Sequence, residues 1–594
     1  MKMRHALWQL IKYRPGLYAA DVSAWVAIML TELGAGYIAK LFFDSLTDAS
    51  PAGLTLWSII ALVIAAGIAQ ILTILAGALL DIRHRYTMGS LMRRNLLASI
   101  FARPGAETLS RSTGEALNTF RDDVLVLEDT ISWIVDQIAL AAYAGVALAI
   151  LVAIDARITA IVVLPLLTVI VAARLVAKHI RRFREASRRA TEKVTGAIGE
   201  AMEGVQTIQL AGAEKHVLAH VEELNKARLH ATVRDRLLSQ SFHSFFWNTR
   251  TLCTGLILLA AASSLKSGAF TVGDLAVFVI YVGVLTEVVA VIGDFMMHLK
   301  QGAVSMERMA SLAHDETASS MVAHAPIHIH GPLPEAAVPR REAADRLEEL
   351  QVEGLCFHWP SNGDPEHASE TSFGLQDISF AVSRGEFVVI TGRIGSGKTT
   401  LLRALLGLLT ADDGSIAWNG KRVENPAQFF VPPRCAYTPQ VPQLFSDTLQ
   451  SNIRMGFPAT AEELDATVRL AVMEDDIPNL QQGLDTLIGA KGVKLSGGQR
   501  QRAAAARMFI RDPELLVFDD LSSALDVETE NLLWERTFAR GDRTYLVVSH
   551  RRPALERADR IILMKDGRIH DSGTLAELRD RNEEMSLLLH SASG

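Results

Sequence analysis

The chain has 594 residues, 49% of them hydrophobic, with a net charge of −7 and a mean hydropathy of +0.20. This excludes a single small soluble domain and argues neither for nor against nucleic acid as a partner. Its three cysteines, Cys253, Cys356 and Cys435, lie far apart without metal-ligand spacing, so no disulfide or zinc site is expected and a reducing cytoplasm is the default.

In chain order, residues 1–20 carry Lys2, Arg4, Lys12 and Arg14 without a compact apolar core ending in small residues, and do not read as a cleavable signal. A spanning helix takes about 20 largely apolar residues. Residues 24–43 meet this despite Glu32, and 56–80 meet it with no charge at all. Two pairs follow: 131–154 with 158–177, joined by Asp155-Ala156-Arg157, and 244–265 with 272–295, joined around Lys266-Ser267-Gly268. The expectation is a domain of six spans over 1–313.

Lys and Arg collect after the second span (Arg83, Arg85, Arg93, Arg94, Arg103) and after the fourth (Lys178, Arg181, Arg182, Arg184, Arg188, Arg189). Both long loops and both termini are therefore expected in the cytoplasm. The loops are charged and periodic, as if the spanning helices continue outward. Chain-reversing breaks stand at Arg103-Pro104-Gly105 leading to Ser112-Thr113-Gly114, and at Gly204 leading to Ala211-Gly212. A short crosswise helix is expected at each tip, able to touch the second domain. Glu32, Glu287 and Asp294 are costly against lipid, so they are expected to face a water-filled cavity or the interface, with Glu287 the foremost candidate for a substrate contact.

Residues 314–349 change character, with Pro326, Pro332, Pro334 and Pro339, and read as an irregular linker. His324, His328 and His330 lack a cysteine or an ordered outer shell and are not read as a metal site.

Residues 350–594 read as an α/β domain. After the apolar run 387–390 comes GRIGSGKTT and then a helical pattern, so strand, glycine loop and helix follow in the order of a P-loop. Gly392, Gly395 and Gly397 let backbone N–H groups curl around a triphosphate, with Ser396 and Thr400 completing the loop. Lys398 is expected on the β and γ phosphates and Thr399 on the magnesium that bridges them. About 100 residues downstream, LSGGQRQR opens another helical stretch.

With these two strings the chain resembles the ATP-binding cassette transporters, as an exporter-type half-transporter. The fold so implied is an all-α six-helix membrane domain followed by an α/β P-loop ATPase. ATP and Mg2+ are the implied ligands. By the same resemblance Trp359 stacks on adenine, Gln440 in YTPQ joins magnesium and the attacking water to the membrane domain, and Asp519 holds magnesium through water. The loop 522–526 crosses to a second site, and His550 contacts the γ-phosphate. Ser496, Gly497, Gly498 and Gln499 of one chain are expected on the nucleotide of another. One cassette therefore cannot complete a site, and a second half-transporter chain is the implied partner.

Two positions depart from the family pattern. The general base after Asp519 is usually glutamate and here is Asp520, whose carboxylate is retracted by roughly one bond length, about 1.5 Å. A misplacement of about 1 Å can cost on the order of a hundredfold in rate. Slow hydrolysis is expected unless the backbone compensates, and homodimer and heterodimer stand equal. The segment before the signature reads Gly489-Ala490-Lys491-Gly492 where many exporters have a glutamate between two glycines, so its contact with the loop tips is expected to differ.

The implied function is an ATP-driven exporter or flippase in a bacterial cytoplasmic membrane, carrying small-molecule, peptide or lipid-like cargo. Two alternatives stand beside it: a nucleotide-sensing regulatory subunit, and an importer built on the same fold. A soluble cassette acting on DNA or ribosomes fails on the six spans.

Overall fold

The structure, a computed structural model, describes residues 3–47, 55–106, 112–266, 269–313, 319–329, 331–333, 341–359, 374–522 and 524–591. Ser267 and Gly268 of the second hairpin, His314, His330, Pro334 and Pro339 of the linker, and Ser523 lie outside them. The chain divides into two compact units, one of residues 1–100 with 109–329, the other of 101–108 with 330–594.

The first unit is helical: α1 (Met3–Tyr13), α2 (Pro15–Leu46), α3 (Leu56–Phe101), α4 (Thr113–Asn118), α5 (Val124–Glu203), α6 (Val205–Leu210), α7 (Glu214–Lys266) and α8 (Val272–Ala313). Each of the six apolar stretches falls inside one of these helices. Among the described residues four stretches are long and apolar enough to cross a membrane, Pro15–Leu46, Leu56–Phe101, Thr113–Pro165 and Val272–Ala313, and Thr251–Ala262 is a shorter apolar one. The 46 residues of α3 rise about 69 Å, far more than the ~30 Å of a bilayer core, so this helix continues well past its apolar run.

The first expected hairpin is visible as a break in α5. Asp155 is extended, at φ −156° and ψ 106°, and its Oδ1 accepts from the N–H groups of Arg157 (2.8 Å) and Ile158 (3.0 Å), starting the next helix as a cap. Thr271 and Asp274 cap α8 reciprocally, each side chain accepting from the other's N–H at 3.0 Å. The second loop tip folds as expected: α5 stops at Gly204, α6 gives one short turn, and Gly212 at φ +60° reverses the chain.

The helices bury two apolar clusters. One gathers Leu33, Tyr143, Ile257, Val277, Phe278 and Tyr281; the other gathers Leu10, Met88, Leu91, Leu96, Met306 and Met309. The chain after residue 319 is tied to the second cluster, for the Asn95 side-chain amide donates to the carbonyls of Met321 (3.0 Å) and Ala323 (2.8 Å). Tyr13 donates to Ala325 O at 2.7 Å.

The second unit holds β1 (Glu349–His358), β2 (Gly374–Ser383), β3 (Phe387–Thr391), β4 (Asp413–Trp418), β5 (Lys421–Arg422), β6 (Cys435–Thr438), β7 (Leu515–Asp519), β8 (Thr544–Val548), β9 (Arg560–Lys565) and β10 (Arg568–Gly573). An antiparallel sheet runs β2-β1-β4-β5, and a six-stranded sheet runs β10-β9-β3-β8-β7-β6. In the larger sheet β9, β3, β8, β7 and β6 are parallel and β10 is an antiparallel edge. β3, β7 and β8 are buried along their whole length, which is why they read as continuous apolar runs rather than alternating ones. Residues 101–106 belong to this unit, with Ala106 N–H donating to Leu408 O at 2.8 Å.

Candidate functional site

Parallel strands of an open α/β sheet end together, and ligands collect outside their carboxyl ends. Register puts Thr438 of β6 opposite Phe518 of β7, and Asp519 opposite Val548 of β8; Val548 in turn pairs with Ile390 of β3. The residues that follow this row are Gln440, Asp520, His550 and the glycine loop. Four segments distant in sequence thus meet at one edge.

The loop after β3 leads into α9 (Lys398–Leu405), with Gly397 as its N-cap at φ +99°. Gly392 at φ +145° has no room for a side chain, because a Cβ would lie 2.2 Å from Met564 O. Gly395 also has positive φ, +86°. These angles turn successive N–H groups toward the helix N-terminus, a cradle suited to phosphate. Ser396 is buried, and Thr400 lies in the first turn of α9. Lys398 Nζ curls back and donates to Gly392 O and Arg393 O, both at 2.7 Å. Burial pulls the Lys398 ammonium below its ordinary pKa, opposed by Asp520 and Asp519.

Thr399 Oγ1 donates to Asp519 Oδ1 at 3.0 Å, and Tyr437 Oη donates to Asp519 Oδ2 at 3.3 Å. Asp519 is 1% exposed; burial raises its pKa, and the two hydroxyl donors oppose the rise. A hydroxyl touching a fixed carboxylate is a hard-oxygen pair that fits magnesium. Next to it Asp520 sits at φ +53°. Gln440 Nε2 donates to Asp520 Oδ2 at 3.3 Å, and His550 Nδ1 lies 3.8 Å from Asp520 Oδ1. Asp520 also has a raised pKa, from burial first, against the pull of His550, Gln440, Arg551 and Lys398.

The structure therefore brings together the glycine loop, Lys398, Thr399, Gln440, Asp519, Asp520 and His550. The signature residues make other contacts. Ser496 is the N-cap of the Gly497–Phe509 helix in a capping box, its Oγ accepting from Gln499 N while Gln499 Oε1 accepts from Ser496 N. Gly498 lies against Ala524, where a Cβ would come within 2.9 Å of the carbonyl. Trp359 is 41% exposed and stands perpendicular to Phe357 with ring centroids 5.1 Å apart. Sequence reasoning passed over Tyr437 and Arg551. Tyr437 lies three residues before Gln440 in the same string, and only the β6–β7 pairing reveals its place beside Asp519. Arg551 donates to Leu525 O (2.8 Å) and Glu530 (3.0 Å).

Fold and site define a P-loop nucleotide-binding ATPase joined in one chain to a helical membrane domain. Residues 375–523 match the family model of the ABC transporter nucleotide domain, and residues 24–289 that of the ABC transporter transmembrane region. The chain is 31% identical over 443 residues to a probable multidrug resistance ABC transporter ATP-binding/permease protein, YheI, of Bacillus subtilis, covering 72% of this chain and 69% of that one. It is 30% identical to an ATP-dependent lipid A-core flippase of Dechloromonas aromatica, over 70% of this chain and 67% of the relative. Among solved structures, a bacterial Atm1-family ABC exporter with ATP bound superposes with a TM-score of 0.69 at 22% identity, covering 97% of this chain and 98% of that one. The chain belongs to the ABC transporter family, as an exporter-type half-transporter, and its nucleotide domain implies ATP binding and ATPase activity coupled to transport.

Proposed function

We propose that this chain is a primary active exporter or flippase that works as a dimer of six-span subunits by alternating access, in a bacterial cytoplasmic membrane with its ATPase domain in the cytoplasm. The observation that carries the reading is the convergence of the glycine loop, Asp519, Asp520, Gln440 and His550 in one domain of a chain whose other domain is built of membrane helices. The signature residues are spent on their own helix cap, and in this reading their surface serves the nucleotide held by a second cassette.

Lys398 leaves the Gly392 and Arg393 carbonyls to place its charge against the terminal phosphates. Thr399 and Asp519 would hold magnesium, which would supply charge neutralisation at the phosphates. Asp520, in its ionised form, orients the attacking water and accepts its proton. Gln440 and His550 fix the Asp520 carboxylate from two sides, and Gln440 reports occupancy toward the membrane domain. Trp359, part exposed, stacks on the adenine in this reading.

Asp520 also favours a second reading, a regulatory subunit that binds nucleotide and barely turns it over, or one half of a heterodimer whose partner supplies a glutamate. The deciding experiment is Mg-ATP turnover by the purified chain in lipid, with its dimer state measured and Lys398→Ala as blank. Turnover above the blank from a dimer supports a self-sufficient transporter. Nucleotide binding without turnover supports the second reading.

A further inference from the structure

The phosphate loop carries a charged side chain that the ATPase chemistry does not use. Arg393 follows Gly392, and its carbonyl is the hub of the loop, accepting from Lys398 Nζ at 2.7 Å and from the Ser396 N–H at 3.1 Å. Its guanidinium reaches the helix Glu583–Ser591. There Nη2 donates to Glu584 Oε2 at 3.0 Å, and Nε stands in ion-pair contact with Oε1. Both oxygens are engaged, the two-point fit that a guanidinium makes with a carboxylate. Lys565, which ends β9, adds a second cation 3.9 Å from Oε2.

Glu584 is itself fixed in place. Its side chain is 8% exposed. Its N–H donates to Asn582 Oδ1 at 3.1 Å, and Asn582 Nδ2 donates in turn to Asp571 Oδ2 of β10 at 3.2 Å. The next residue, Met585, is fully buried in the apolar core of this unit. A carboxylate so withdrawn from water is costly without a counter-charge, and among the described residues Arg393 and Lys565 are the cations that it meets. The β9–β10 turn holds the same loop again: Met564 O fills the place of a Cβ on Gly392, and the Gly567 N–H donates to Ser396 O at 3.2 Å.

A phosphate loop binds through backbone N–H groups, so its affinity depends on the curl being in place before the nucleotide arrives. When Lys398 turns to the phosphates it gives up the Gly392 and Arg393 carbonyls, and the loop loses the donor that gathers its first two residues. The tie between Arg393 and Glu584 does not involve Lys398 and outlasts that exchange. A guanidinium committed through two nitrogens to a carboxylate is also not free to serve as a phosphate ligand. We propose that Glu584 is a positioning residue for nucleotide binding, which sets the curl of the phosphate loop through Arg393. The inference rests on the nucleotide site and not on transport.

The test compares Arg393→Gln, Glu584→Gln and the double variant in the full chain in lipid, because the two single changes alter the net charge in opposite senses. Mg-ATP affinity is read by displacement of the fluorescent analogue TNP-ATP, alongside KM, kcat and Tm. Each single variant is expected to weaken Mg-ATP binding about fivefold, with KM following and kcat staying within about twofold of wild type. The double variant is expected to bind no more weakly than the poorer single variant, since the pair is already broken. Affinity that falls in one single variant, rises in the other and returns to wild type in the double would reduce the effect to charge and overturn the proposal. A lowered Tm with unchanged affinity would overturn it too, leaving Glu584 a tie for its own helix. If Glu584→Gln does not fold, Glu584→Asp keeps the charge and retracts the carboxylate; it is expected to weaken Mg-ATP at least about twofold, and affinity equal to wild type overturns the proposal. The expected pattern in binding by a chain that shows no turnover would uphold the role of Glu584 and remove the reading of a self-sufficient transporter.

Discussion

The carboxylates of the two units face opposite situations. Asp519 and Asp520 are buried among groups of their own chain: Thr399 and Tyr437 donate to the one, and Gln440 donates to the other, with the His550 ring 3.8 Å away. Glu32 and Glu287 are exposed and have no cation among the described residues. A buried acid held by donors of its own chain can position an ion or a water, because its geometry is fixed before anything binds. An exposed acid without such donors keeps its rotamer freedom and can be met by water. The contrast separates a unit whose acids are fixed in place for phosphoanhydride chemistry from a membrane unit whose acids have no counter-charge among the described residues.

The largest expected effect breaks the first half of that comparison. Lys398→Ala removes the cation that opposes Asp519 and Asp520 and grips the phosphates, and hydrolysis is expected to fall by at least about a hundredfold, measured as Mg-ATP turnover in lipid. Next, Asp520→Glu restores the missing methylene and is expected to raise turnover, by about tenfold or more if reach alone limits the rate. A wild-type chain that already turns over as fast as the glutamate variant would show that the backbone at φ +53° delivers the shorter carboxylate without loss.

A third effect concerns pH. The folded pKa of Asp520 is raised by burial, so the folded state holds this proton more tightly than the unfolded chain. The corresponding stability is present below the ordinary carboxylate pKa, about 4, and is lost as pH rises through the folded value. Asp520→Asn is therefore expected to raise the Tm of the nucleotide-free chain by a few degrees at neutral pH, with the gain shrinking in acid. In the wild type, turnover should fall in acid at a pH above that of an ordinary aspartate, because the base must be ionised. The smallest effect is Tyr437→Phe, which removes one neutral donor from Asp519, worth about 1 kcal/mol. It should raise the magnesium concentration needed for half-maximal turnover several-fold while leaving ATP binding nearly unchanged.

Much of this was legible in the sequence because local rules agree with the global fold. Apolar runs of membrane length became helices, Asp155 started a new helix where the hairpin was expected, and a buried strand followed by glycines became the phosphate loop. Pairing between distant strands was not legible. The Tyr437–Asp519 contact depends on β6 lying beside β7, and nothing in YTPQ announces that neighbour. The close packing of α2 on α8 was equally hidden, since it needs Gly36 to admit the Tyr281 ring. Helix lengths were only partly readable: hydropathy marks where α3 is apolar, whereas its polar continuation is held by tertiary packing of residues such as Leu91 and Leu96.

The ATPase unit is assembled from two stretches of chain, and the smaller one, 101–106, brings Ala106 N–H to the Leu408 carbonyl and Gly105 close to the Leu408 side chain. A gene fragment beginning at β1 would encode this unit without one of its own pieces. The same holds for exchange of cassettes between relatives: a crossover in the linker would transfer a receiving surface shaped around Leu408 without the segment that fits it. Inheritance of the two stretches is thereby tied together, although residues 109–329 separate them.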